Sequence, residues 1–187
     1  MNKFILLVFP LIVVSCAIKS KVRDDAQMKD LKKVAVIGFN ASIPAGIAGG
    51  SIEKITSAET DKMFAEFNKA LVKQFNWQVL DADTMKRQPA YVRAYDMTMK
   101  GWQNKSMVDP NRRNFVIEGI MDTESLRQMG KEGRDQLMQA LRVDSLIVAT
   151  VGTYFESFTV MGIGNRYTQA RVYVQMYKKG AEDITWR

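Results

Sequence analysis

The chain has 187 residues, with 27 Lys and Arg against 20 Asp and Glu, one cysteine and no histidine. Without histidine, a Ser-His-Asp triad and a histidine zinc site are both excluded, and one cysteine cannot form an intramolecular disulfide. The net charge of +7 favours anionic neighbours such as lipid headgroups or wall polymers. The basic residues nevertheless have acids between them, which is typical of solvated surface.

The first residues have the layout of a secretory signal peptide. A polar start with Lys3 precedes an apolar run over residues 4–14, and small residues follow at 15–17. The run is shorter than the ~20 residues that span a bilayer as a helix, and Pro10 interrupts it. We therefore predict a signal peptide over residues 1–15 rather than a transmembrane anchor.

The four residues Val13-Val14-Ser15-Cys16 look like a lipobox, at which bacteria attach a diacylglycerol to cysteine and cut just before it. Cys16 is the sole cysteine, so we expect its thiol to carry lipid; the alternative is an ordinary signal peptide with a chance cysteine. An Asp directly after the lipidated cysteine commonly signals inner-membrane retention. Here that residue is Ala17, so we expect a lipid anchor in the outer membrane, with the protein facing the periplasm.

The mature part is predicted to consist of a tether and one domain. Residues 16–32 hold the lipidated cysteine and a polar tether. Residues 33–39 form a continuous apolar run, typical of a strand covered on both faces, and begin an α/β domain expected over 33–187. The stretch from Pro44 to Ser51 has three glycines and no periodic pattern, which predicts an exposed loop.

An amphipathic helix is predicted after this loop. Thr56 and Glu59 have the spacing of a capping box, and apolar residues recur at helical intervals as far as Phe75. Residues 77–80 then predict a short second strand after a turn at Asn76.

A second helix is predicted to begin near Thr84. Asp81 or Asp83 lies where a capping aspartate belongs, and this role is favoured over paired carboxylates for acid–base work or for a hard cation. Pro89 limits or kinks this helix. Residues 98–118 have no periodic pattern that assigns an element.

The last third of the chain combines one helix with strands. The helix is predicted to begin at Asp122 or Thr123, and residues 145–151 predict a fully apolar strand. Residues 170–177 alternate apolar and polar side chains, which predicts a strand covered on one face, with 184–186 as its partner across a short turn. The sum is an α/β fold: a mixed sheet with amphipathic helices packed on it, in a single domain after a lipoprotein signal peptide.

Four segments together resemble a known family. They are the strand at 34–40, the helix end and strand at 71–80, the passage from helix to strand at 140–148, and the closing strands at 167–186. In these segments, which span most of the mature part, the chain resembles the CsgG-like and LpoB-like family of bacterial envelope lipoproteins. The family usually has Gly-Ala-Asp where this chain has Arg142-Val143-Asp144, and usually continues with a helix beyond the position of Arg187.

The resemblance implies a binding protein without catalytic residues. Members look like periplasmic adaptors that activate wall synthases, or like subunits of a curli-type secretion channel. We expect a membrane-anchored, non-enzymatic adaptor in cell-wall or outer-membrane biogenesis, with no metal or cofactor. Its expected partner is another envelope protein or its own oligomer, and not nucleic acid. The alternative, a channel subunit, needs lipid-facing strands of ~10 alternating residues, which only 170–177 approaches.

A second alternative is a wall-acting enzyme. Ser51 and Lys54 fit the Ser-x-x-Lys pattern of penicillin-interacting enzymes, in which the lysine helps to activate the serine. The partner motifs Ser-Asp-Asn and Lys-Thr-Gly are missing from the sequence, so a chance match is favoured. Met97 and Met99, with Met85 and Met107 nearby, are candidate soft ligands for copper, although methionines more often form adaptable core and contact surface.

The loop before the first helix carries the candidate contact residues Ile43, Ile47 and Ile52. Isoleucines exposed in a glycine-rich loop indicate contact with a partner. The alternative is that these side chains fold back to cover the edge of the sheet. Both interpretations stay open at the level of the sequence.

Overall fold

The computed structural model describes Met28 and residues 30–44, 50–103, 112–160 and 163–182. It has the predicted α/β fold, with helices on a mixed five-stranded sheet. In chain order the elements are β1 (Lys33–Pro44), α1 (Gly50–Phe75), β2 (Gln78–Val79), α2 (Ala82–Lys86), α3 (Pro89–Gln103), β3 (Arg112–Val116), α4 (Ser125–Gln128), α5 (Gly130–Leu141), β4 (Ser145–Val160) and β5 (Ile163–Lys178). None of the described helices is long and apolar enough to span a membrane.

Strand β1 is hydrogen-bonded along both edges. On one edge, β2 runs parallel to its first residues and β3 runs antiparallel to its last five. Between them, the Met121 N–H donates to the Ile37 carbonyl oxygen at 3.0 Å, and the Met121 carbonyl accepts the Phe39 N–H at 3.1 Å. Strand β4 runs parallel along the other edge. Strand β1 is therefore a central strand of the sheet, and its residues from Val34 to Ile43 are all buried.

A bulge at Ile37 interrupts the pairing of β1 with β4. Next to it, a Cβ on Gly38 would lie 2.6 Å from the Val148 Cγ1 atom, so only glycine fits between the strands. The buried Tyr91 hydroxyl lies 3.1 Å from the Ile37 carbonyl oxygen and accepts the Met121 N–H at 3.3 Å. The bulge is thus fixed by a side chain from α3.

Helices cover both faces of the sheet. On one face Phe39 packs on Phe64 and Phe67 of α1, with ring centroids 5.4 and 5.9 Å apart. Side chains alternate along strands, and the register puts Tyr177 on the other face. There the Arg134 guanidinium of α5 lies 4.3 Å from the Tyr177 ring centroid. This three-layer arrangement explains why β1 and the first half of β4 are apolar on both faces, as predicted.

The first helix is longer than its sequence pattern predicts. It begins at Gly50, so the capping box at Thr56 and Glu59 is wrong: both residues lie within the helix. No proline interrupts residues 50–56, and each added residue contributes one more backbone hydrogen bond once the helix exists. The predicted loop from Pro44 to Ser51 shrinks accordingly, because β1 includes Pro44; its middle, 45–49, lies outside the described residues.

The second helix is divided at proline as predicted. The Asp81 side chain accepts the Thr84 N–H at 2.8 Å, which confirms the capping role and lowers the pKa of this carboxyl. Helix α2 ends at Lys86, and Pro89 is the first residue of α3, where its missing N–H costs nothing. The stretch 98–118, which has no sequence pattern, contains the end of α3 and all of β3.

Towards the end of the chain, the structure differs from the predicted elements or does not describe them. The helix expected from Asp122 is broken in two at Gly130, which has a φ of +61°. Both β4 and β5 are 16 residues long, more than twice the predicted strand at 145–151. The partner of 170–177 is β4; the predicted partner 184–186 lies outside the described residues.

Helix α5 ends at Arg142 in a left-handed conformation, with φ 55° and ψ 50°. The Arg142 N–H donates to the Gln139 carbonyl oxygen, and the Val143 N–H donates to that of Met138. This bonding is the usual helix ending for which glycine is favoured, because a Cβ is strained there.

We therefore predict that Arg142→Gly raises the free energy of unfolding. Glycine removes the strain of the left-handed conformation, but it also increases the conformational entropy of the unfolded chain. The net increase in the free energy of unfolding is about 0.5–1 kcal/mol. Urea unfolding measures it, with Gln139→Gly as the matched control, since that exposed helical position should lose about 1 kcal/mol. An Arg142→Gly variant no more stable than the wild type would contradict the assignment of strain.

The start of β1 is fastened to the start of β4 by Asp144. Its carboxylate accepts the Lys32 and Lys33 N–H groups at 2.9 and 2.8 Å, and its own N–H donates to the Lys33 carbonyl oxygen at 2.8 Å. The Lys33 N–H, followed by the Lys32 N–H and the charges of Lys32 and Lys178, holds the pKa of this carboxyl below its ordinary value of 3.8.

We predict that Asp144→Asn destabilises the protein by about 1 kcal/mol at neutral pH, a modest figure because the carboxylate is solvated. The native pKa is lowered, so the stabilisation by Asp144 is complete above pH ~4 and is lost as pH falls through the native pKa. Unfolding measured from pH 7 to pH 3 should show the two stabilities converging. A gap that stays constant, or one that also appears with the exposed control Asp61→Asn, would rule out this role.

Candidate functional site

The hairpin of β4 and β5 extends far beyond the rest of the sheet. Its strands pair without interruption along their whole length. Strand β1 accompanies β4 only as far as Gly152, whose register partner is Ser42. Residues 153–160 are paired with 163–170 alone among the described residues, as eight successive pairs. These pairs, hereafter the ribbon, are about 27 Å long at ~3.4 Å per residue.

The base of the ribbon exposes apolar side chains. Along β5, Met176 and Tyr177 are buried, whereas residues 170–173 are exposed. Among them, Val172 and Tyr173 have 54% and 50% of their surface accessible. Neighbours along a strand point to opposite faces, so apolar surface is available on both sides where the hairpin leaves the core.

A polar cluster fixes the point at which the hairpin leaves the sheet. The Thr150 hydroxyl donates to the Asn40 side-chain oxygen at 2.6 Å and lies 3.3 Å from the Thr123 hydroxyl. Beside Thr123, the buried Asp122 carboxylate accepts the Glu124 N–H at 2.8 Å, and burial raises the pKa of this carboxyl. The Thr150 contacts with Asn40 and Thr123 join β1, β4 and the segment before α4, whereas the Asp122 carboxylate is bonded within that segment.

The cluster lies near the end of the parallel pairing of β1 with β4, on the side of the sheet where α/β folds commonly hold ligands. In this protein that position is occupied by bonded side chains and by the continuing hairpin. The described residues contain no group of three or more His, Cys, Asp or Glu side chains that could hold a metal ion. The feature that stands out at this end of the sheet is therefore the ribbon.

The predicted contact isoleucines do not form one exposed loop. Ile43 lies in β1 opposite Arg113 of β3 and is buried, which for this residue agrees with the alternative that the isoleucine covers the sheet and not with an exposed contact. The strand continues past residue 39 because β3 and β4 pair with both of its edges. Ile47 lies outside the described residues, and Ile52 lies in α1 with its side chain undescribed, so their roles stay predictions.

Other predicted sites fall partly outside the structure. Cys16, the signal peptide and most of the tether lie outside the described residues, but Met28 and Leu31 are buried in the core. Chain packing thus begins several residues before the predicted start of the domain at 33. Ser51 and Lys54 both lie in α1, and their side chains are not described.

The candidate copper ligands Met85, Met97 and Met99 are not brought together, and Met107 lies outside the described residues. Met85 is fully buried in the core, whereas Met97 is exposed on α3, two residues before the half-buried Met99. Residues two apart on a helix do not face each other. Capping by Asp81 likewise accounts for that carboxylate without a cation.

Comparisons with protein-family models, with curated proteins and with solved structures found no match.

Proposed function

We propose that this protein is a lipid-anchored, non-enzymatic envelope adaptor in cell-wall or outer-membrane biogenesis, and that it holds its partner with the β4–β5 hairpin. The anchor is the lipidated Cys16 expected from the lipobox. The partner is another envelope protein. The family resemblance in the sequence is the reason for placing the activity in the bacterial envelope.

The ribbon is the observation that carries this proposal. An isolated two-stranded hairpin is only marginally stable in water. Residues 153–160 have no third strand among the described residues, and their base exposes Val172 and Tyr173. An element of this kind is stabilised when a partner covers its faces or pairs with its edge, and this is a recurrent mode of protein recognition.

The start of the domain and the ribbon lie at different ends of the sheet. The tether enters at the start of β1, level with the start of β4, where Lys33 is bonded to Asp144. The ribbon begins eight residues along β4, about 27 Å away, and its tip is about 54 Å away. The twelve residues from Cys16 to Met28 span at most about 40 Å. Such a tether keeps the domain near the membrane while leaving the ribbon accessible.

One observation favours the second candidate, a subunit of an oligomeric curli-type channel. That function needs strands of ~10 residues, and both β4 and β5 have 16. The sequence of the ribbon argues the other way, since 153–160 reads Thr-Tyr-Phe-Glu-Ser-Phe-Thr-Val without a regular alternation of apolar and polar residues. We therefore retain the adaptor as the first candidate.

Substitution at the ribbon base tests the proposal. We predict that Val172→Asp abolishes a chemically crosslinked complex in cells while the melting temperature stays within about 1–2 °C, because the side chain is half exposed. The matched control is Val72→Asp on α1, where the exposed fraction is 48% against 54%. The complex should persist in that variant.

The mass of the crosslinked complex separates the candidates. A complex with a different protein that is lost only in Val172→Asp supports the adaptor. A ladder of multiples of the chain mass supports the channel subunit. Retention of the complex by both variants would remove the hairpin from the contact surface.

A further inference from the structure

A shallow groove of about 500 Å³ runs between α3 and α5, on the helical layer rather than on the hairpin. Small residues leave it open: Ala90 and Ala94 form one wall, and Gly133 and Ala140 form part of the other. Its apolar floor includes Leu137, which is buried. The two helices therefore do not close over one another along this line.

Two methionines add adaptable apolar surface to the groove. Met97 and Met129 line it from opposite sides, and Met97 has 71% of its surface accessible, the largest value among the exposed large apolar side chains described. Methionine is flexible and polarizable, and it is common at surfaces that accept helices. A residue this apolar and this exposed is suited to contact a partner.

The charged and polar side chains of the groove indicate which chemistry a ligand needs. Among the described residues, Arg93 is the one charged side chain that lines the groove, and these residues provide no ion pair for it. The other polar groups include the amides of Gln128 and Gln136. The Thr98 hydroxyl is already satisfied by the Ala94 carbonyl oxygen at 2.8 Å. A complementary ligand is thus apolar, with a carboxylate positioned near Arg93.

We propose that this groove docks an amphipathic helix of a partner protein, whose apolar face packs on Met97 and Met129 and whose acidic residue pairs with Arg93. The lining residues of α3 run from Ala90 to Thr98, which is about 12 Å or two helical turns. This length suits two or three apolar side chains one turn apart. The inference rests on the proposed adaptor function and adds a second contact surface, distinct from the ribbon.

Two synthetic peptides of 15 residues test the proposal. Both are amphipathic Leu/Ala helices, and they differ only in carrying Glu or Lys at the charged positions. Binding is measured by fluorescence anisotropy to the protein purified as cells process it. The Glu peptide should bind about tenfold more tightly than the Lys peptide, and Arg93→Glu should reverse this order.

Two variants separate binding from folding. A Cβ added at Gly133 makes an ordinary 3.4 Å contact with the Met129 Cβ, so Gly133→Ala should raise the melting temperature while weakening the Glu peptide severalfold. Met97→Asp should abolish binding at unchanged stability. Val92→Asp, on the same helix but outside the groove lining, is the control and should bind like the wild type.

Laurate provides an apolar anion that is not a helix. If laurate binds in an Arg93-dependent way and neither peptide does, the groove is an acyl-chain site and the helix proposal is overturned. Equal binding of the two peptides, or undiminished binding by Met97→Asp, also overturns it. None of these outcomes depends on the hairpin, so the Val172→Asp result judges the adaptor function separately.

Discussion

Hydrogen bonding along both edges of β1 is the constraint on which the remaining structure depends. A strand whose side chains are buried on both faces cannot leave N–H and C=O groups unpaired without a large cost. Here β2, Met121 and β3 bond to one edge in turn, and β4 bonds to the other. Each of these segments comes from a different part of the chain, so β1 draws the chain into one domain.

The same constraint positions the hairpin. Strand β4 must run parallel to β1 from Ser145, and the carboxylate of Asp144 sets that starting point by binding the first N–H groups of β1. Once β1 ends, β4 has only β5 as a partner among the described residues. The ribbon is therefore the part of the sheet that extends beyond the end of β1, which leaves it available for recognition.

The sequence predicts the elements whose patterns are local. The apolar runs at 33–39 and 145–151 are buried strands, Asp81 caps a helix, and Pro89 begins one. The predicted boundaries of elements are wrong where tertiary contacts determine them. Strand β1 continues through Ile43 because β3 pairs with it, although the local sequence there indicates a loop. The ribbon could not be predicted, since 153–169 has neither strict alternation nor an apolar run, and its strand structure comes from pairing of β4 with β5. Residues 170–177 were the only sequence indication of it.

A lipid on Cys16 is the central element of the proposed function, because it makes the domain an adaptor held at a membrane rather than a free binding protein. Intact-mass spectrometry of the protein extracted from cell membranes measures this directly. We expect a mature chain that begins at Cys16 and carries the mass of a diacylglycerol and a further acyl chain on that residue. A chain that begins elsewhere, or one that begins at Cys16 with a free thiol, would contradict the lipid anchor.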